Sequence, residues 1–141
     1  MSTGNEALAR RWFEDVWNRR LTGAVDDLAA ADCIGHQTDG LTRTLREWRL
    51  LYQEILDGFP DLRFIVEDVV SSGESVVVRW RFFATHAGTV FGVPATHTKV
   101  DVPGITWFRC RGGKVVESWD GWNQERLVQQ LASLVAGYTR S

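Results

Sequence analysis

The sequence predicts an α+β fold: a cone-shaped, curved antiparallel sheet packed on three to four helices around a central apolar pocket. Three observations predict it. Capped helical patterns fill the chain up to Pro60. From Leu62 the apolar period switches from helical to alternating and stays so to Trp122, broken by hairpin turns. A helical pattern then closes the chain. Helices followed by hairpin-linked strands put the helices on one face of an antiparallel sheet. At 141 residues the chain suits a single domain, 1–141.

Thr3-Gly4-Asn5-Glu6 has the form of a capping box, and a helix follows to about Arg19. Leu8, Trp12 and Val16 share its apolar face, widened by Phe13 and Trp17. A shorter helix is expected from about Gly23 to Ala30, then an extended piece from Asp32 to Gln37. In that piece Ile34 and His36 fall on one side, Cys33 and Gly35 on the other. Asp39-Gly40 turns the chain. Thr44-Leu45-Arg46-Glu47 is a second capping box, opening a helix to about Asp57 with Leu45, Trp48, Leu51, Tyr52, Ile55 and Leu56 as its stripe. Gly58 is placed to cap it and Pro60 to stop it.

Leu62 to Val70 alternates as a strand, and Ser72-Gly73 is a hairpin turn. In the next strand, Ser75 to His86, Val76, Val78, Trp80, Phe82 and Ala84 take one face; Val77, Arg79, Arg81, Phe83 and Thr85 take the other. A loop with Gly88, Gly92 and Pro94 leads to a strand from Thr98 to Cys110. Gly112-Gly113 turns it into Lys114 to Trp122. The last helix is expected from Gln124 to Val135, with Leu127, Leu131 and Leu134 inward.

Seven Trp and seven Phe are more aromatic bulk than so small a core needs. They suit a large flat apolar ligand or a subunit contact. The formal net charge of -2 offers no basic surface for nucleic acid and no field for a membrane, and no apolar run approaches the ~20 residues of a membrane span. No signal peptide is expected from the first residues. Cys33 and Cys110, with no CxxC spacing, are expected as reduced core thiols of a cytoplasmic protein. The three His have no ligand spacing, so no metal site is expected. Exposed Phe83 and Val77 on the outer sheet face predict a homodimer or homotetramer.

One acid stands out. Asp120 lies between Trp119 and Trp122 on the last strand, where alternation puts Ser118, Asp120 and Trp122 on one face and Trp119 on the other unless a bulge intervenes. It reads as an acid in an apolar pocket, as a solvated strand-end acid or as a partner of Arg109.

The motifs Phe59-Pro60-Asp61-Leu62, Ala84-Thr85-His86-Ala87-Gly88, Phe91-Gly92-Val93-Pro94-Ala95-Thr96 and Gly113-Lys114-Val115-Val116-Glu117-Ser118-Trp119-Asp120 occur in order along the chain. Together they make it resemble the SnoaL-like polyketide cyclases, whose wider fold is shared with ketosteroid isomerase and scytalone dehydratase. The resemblance implies one α+β barrel domain, a hydrophobic polycyclic polyketide as substrate, no cofactor, and Asp120 as general acid/base of an intramolecular aldol closure. Two departures are visible. Gly104 and Thr106 stand where the cyclases carry a Gln and a His, and Asn123 replaces a second acid. Close relatives with Asn at that position hydroxylate related scaffolds.

A carboxylate in a Trp-lined pocket is pushed toward neutral pH by desolvation, where acid/base catalysis is effective. Residues expected to line the pocket or donate hydrogen bonds to substrate are His36, Tyr52, Trp80, Thr106, Trp107, Trp122 and Asn123. His36 reads equally as a satisfied polar residue and Asn123 as the cap of the last helix. Three functions follow: a cyclase, a hydroxylase or epoxide-opening enzyme on a related polycycle, and a non-catalytic binding or assembly domain.

Overall fold

In the computed structural model, residues 2–135 are described, the side chains of residues 2 and 3 excepted. The helical N-terminus is α1 (Ser2–Arg11), continuing without a break into a π-helical segment (Trp12–Asn18). Helix α1 begins at Ser2, and the Thr3 side chain expected to cap it lies outside the described residues. Glu6 instead accepts from Ser71 Oγ at 2.9 Å. Then come α2 (Ala24–Leu28), β1 (Ala29–His36), β2 (Thr42–Thr44), α3 (Leu45–Gly58), β3 (Arg63–Ser72), β4 (Ser75–Thr85), β5 (Lys99–Arg111), β6 (Lys114–Trp122) and α4 (Gln124–Ala132).

The strands form one curved six-stranded sheet in the order β2-β1-β6-β5-β4-β3. It differs from the expected sheet in three ways. It is mixed, because β1 runs parallel to β6; β2, α3 and β3 to β5 lie between them in the chain, so no hairpin dictates their sense. It is not a closed barrel, since β2 and β3 remain edges. And β1 starts at Ala29, so the second helix ends at Leu28 and a short β2 returns along β1.

The alternation of β4 is as expected. Val76, Val78, Trp80, Phe82 and Ala84 are buried against the helices, with Val100, Val102, Phe108 and Cys110 beside them on β5. The β5–β6 ladder slips once, between the Arg109↔Glu117 and Cys110↔Val115 pairs, leaving Val116 as the extra residue. The bulge precedes Ser118, so Ser118, Asp120 and Trp122 keep one parity and face inward with Phe108, Thr106 and Gly104.

The Thr44/Glu47 capping box forms at the start of α3. Gly58 is helical rather than a C-terminal cap; a Cβ there would meet Val90 Cβ at 2.5 Å, so glycine lets the 90–93 loop pack close. At the C-terminus α4 ends at Ala132, and Leu134, expected inward, is exposed.

Candidate active site

The inner face of the sheet, the π-helical segment and α3 enclose a cavity. Its walls are largely aromatic: Trp12, Phe13, Trp17, Trp48, Phe59, Phe64, Trp80, Phe82, Phe91 and Trp122. Its polar groups are Gln37, Thr38, Thr106, Asp120 and Gln124. The π-helix brings Trp12 and Trp17 to this wall. Its wider turn puts residues five apart on one face, marked by the Arg19 N–H to Glu14 carbonyl bond at 2.9 Å. Five of the seven tryptophans line the cavity. Trp107 and Trp119 lie on the outer face, paired across β5 and β6 with ring centroids 6.4 Å apart.

Asp120 sits on the floor of this cavity, half-buried, and also borders the adjoining cleft lined by Gly35, Arg43 and Ser118. Removal from water pushes its carboxyl above the ordinary carboxylate range, opposed by the nearby Thr106 hydroxyl and Gln37 side chain. Thr106 Oγ1 donates to Asp120 Oδ1 at 2.7 Å, and Trp80 Nε1 donates to Thr106 Oγ1 at 2.9 Å. An indole N–H can only donate. The Thr106 oxygen therefore accepts from Trp80 and its proton is committed to Asp120.

This relay depends on Gly104. It faces Trp80 across the β4–β5 ladder, and a Cβ on it would fall 2.3 Å from the Trp80 ring. The missing side chain lets the indole lie flat over β5 with its nitrogen toward Thr106.

Of the residues expected to surround Asp120, Trp80, Thr106 and Trp122 do so. Four do not line the cavity. His36 lies on the outer face, stacked on Trp119 at 5.1 Å, with Nε2 2.7 Å from Glu117 Oε2. Its strand presents Cys33 and Gly35 inward, with Gln37 following on the same parity, so the parity of His36 is wrong for the pocket. Trp107 is 47% exposed, opposite Val77 on the same outer face. Tyr52 stands behind the wall, where its hydroxyl donates to the Val16 carbonyl at 2.5 Å and its ring supports Trp17 and Trp48. Asn123 caps α4, its Oδ1 accepting from the Arg126 N–H at 2.9 Å. Arg109 is no partner of Asp120; it pairs with Glu117 at 3.2 Å on the opposite face.

The sequence reading missed Gln37, Thr38 and Gln124 as polar lining. Continuing the β1 alternation by one step beyond Gly35 identifies Gln37. Thr38 had no such signal: it bonds the backbone of Trp122 at both N–H and carbonyl, pinning the 37–41 turn to the end of β6.

Cys33 and Cys110 are free and buried, and burial raises both thiols to about 11, leaving them protonated at neutral pH. Among the described residues no three His, Cys, Asp or Glu side chains converge as a metal site, and no helix is long and apolar enough to cross a membrane.

The SnoaL-like polyketide cyclase family model matches residues 7–131. No curated protein matches the chain. Among solved structures it is similar to AclR from Streptomyces galilaeus, named a candidate hydroxylase, with 29% identity and a TM-score of 0.81 over 96% of this chain and 99% of that one. It is similar to IdmH from Streptomyces antibioticus, named a candidate polyketide cyclase, with 25% identity and a TM-score of 0.78 over 89% and 96%. A candidate SnoaL-like polyketide cyclase from Jannaschia sp. CCS1 shares the fold at 23% identity, with a TM-score of 0.85 over 92% of each chain.

Proposed function

The chain belongs to the SnoaL-like polyketide cyclase family, and we propose that it closes a ring of an aromatic polyketide by a cofactor-independent intramolecular aldol reaction with Asp120 as general acid/base. The observation that carries this reading is the Asp120 carboxyl group on the floor of an aromatic cavity, held by Thr106 and Trp80.

The chemistry follows from that placement. The Asp120 carboxylate takes the proton from a carbon flanked by carbonyl or ester groups. The electron pair so released forms the new C–C bond to a second carbonyl carbon of the same molecule, and its π pair becomes an alkoxide. Asp120 returns its proton to that alkoxide, so the reaction is a net isomerisation. The flat walls suit a polycyclic aromatic substrate, whose enolate spreads its own charge. The raised pKa of Asp120 brings the proton donor and acceptor forms closer in energy near neutral pH.

The likeness to AclR favours a second reading, oxygen insertion into a related polycycle. Turnover of a tricyclic polyketide methyl ester with oxygen excluded supports the aldol reading. Strict dependence on oxygen and a reduced substrate replaces it with the hydroxylase. An assembly domain without catalysis is disfavoured by a cavity that its own side chains leave unfilled.

We place this work in cytoplasmic secondary metabolism of the antibiotic type. The outer sheet face exposes Ile65, Val70, Phe83, Ile105 and Trp107. An apolar face of this kind supports assembly as a homodimer or homotetramer.

A further inference from the structure

We propose that Gln37 is a positioning residue for Asp120, donating its side-chain N–H to the carboxylate, and that Arg43 and Asp39 fix which end of the Gln37 amide faces the acid. The inference rests on the reading of Asp120 as the acid/base.

Gln37 follows β1 on its inward parity and lines the cavity with Asp120. Its carboxamide lies against Gly35, where a Cβ would fall 2.7 Å from Gln37 Nε2. Glycine at that position leaves the amide its berth. Arg43 Nη1 donates to Gln37 Oε1 at 3.3 Å. A guanidinium has no acceptor, so it selects the carbonyl end of the amide and leaves the NH2 end for Asp120. Arg43 is in turn gripped by Asp39, with Nη2 to Oδ2 at 2.9 Å and Nη1 to Oδ1 at 3.3 Å, and Asp39 Oδ1 also accepts from the Leu41 N–H at 2.9 Å. Thr38, between these residues, is bonded to the Trp122 backbone, so the turn and the Asp120 strand are held as one unit.

Asp120 thus receives two donors, each oriented by a group that can only donate: Thr106 by Trp80, and Gln37 by Arg43. Both donors favour the ionised carboxylate against the desolvation that opposes it. They ready the acid to begin as a base. The titratable and charged groups that line the adjoining cleft with Asp120 are Arg43 of β2 and Cys33 of β1; the thiol is neutral, and the Arg43 charge is paired with Asp39, so Arg43 reaches Asp120 through the amide.

The test reads Asp120 directly, without substrate. Protein carrying carboxyl-13C aspartate is titrated by NMR, with the Asp120 signal assigned by its loss in Asp120→Asn. In Gln37→Leu and in Arg43→Met, the Asp120 midpoint moves to higher pH, and its ionised fraction below the midpoint falls about tenfold, the size of one charge-assisted hydrogen bond. The double variant moves it no further than Gln37→Leu alone. Gly35→Ala, which displaces the amide without removing it, moves it the same way and serves if Gln37→Leu does not fold. An unmoved midpoint in the folded variants, or additive effects of Gln37→Leu and Arg43→Met, overturns the inference. An Asp120→Asn enzyme with full turnover instead overturns the catalytic reading and leaves this coupling standing.

Discussion

The indole of Trp80 occupies the space that a side chain on Gly104 would fill. The two residues are paired across β4 and β5, and a Cβ at Gly104 would stand 2.3 Å from the ring. Glycine here joins two functions: it seats a tryptophan of the inner face, and it aims the indole nitrogen at Thr106, which holds Asp120. At Gly104 the strand gives up its own side chain to make room for an aromatic donor.

Gly104→Ala therefore costs both stability and activity. Overpacking a filled core costs about 1–3 kcal/mol, and thermal unfolding records it as a drop of roughly 3–10 °C. Trp80→Phe separates the effects, since it keeps most of the bulk and removes the N–H. Its stability falls by only about 1 kcal/mol, while kcat/KM drops about tenfold because the Thr106 proton is no longer committed to Asp120. Equal activity in Trp80→Phe and wild type contradicts the relay.

Asp120→Asn has an opposite sign for stability and activity. Desolvation holds the folded-state pKa of Asp120 above its ordinary value, so the fold prefers the protonated carboxyl. The stability this supplies is present in acid and is lost as pH rises from the ordinary carboxylate range through the folded pKa. Above that window the fold carries the cost of a desolvated charge. Asparagine removes the charge, so the variant melts on the order of 3 °C higher at neutral pH. The gap closes in acid. Melting curves across pH check this, and a variant less stable at neutral pH contradicts it.

The outer sheet face predicts a subunit contact. Trp107→Glu combined with Ile105→Lys puts charges among residues that are both 47% exposed in the single chain. Sedimentation gives a dimer or tetramer for the wild type and a monomer for the double variant, with the monomer still folded by far-UV circular dichroism. A wild-type monomer at micromolar concentration contradicts the contact.

Much of this fold was legible because alternation is a local signal. The inward set of β4 follows from parity alone, and so does the inward set Ser118, Asp120 and Trp122, since the Val116 bulge falls before it. The polar company of Asp120 was harder to read. The chemistry of His36 suits a pocket, but Cys33 and Gly35 face the cavity side of its strand, and the same parity points to Gln37. Trp107 stands next to the inward Thr106 and so faces out. Other features were not local. The π-helical turn that brings Trp12 and Trp17 to one wall breaks the helical period used to place them. The parallel pairing of β1 with β6, like the Thr38 contact with Trp122, joins segments separated by nearly the whole meander.

Whether Asp120 moves the protons of an aldol closure is read from kcat/KM for anaerobic cyclisation of a tricyclic aromatic polyketide methyl ester by the wild type and by Asp120→Asn. The wild type turns over without oxygen or added cofactor, and the variant loses about 10²–10⁴-fold, the size of a general acid/base contribution, with the fold intact. An Asp120→Asn enzyme that cyclises the ester at the wild-type rate contradicts that role.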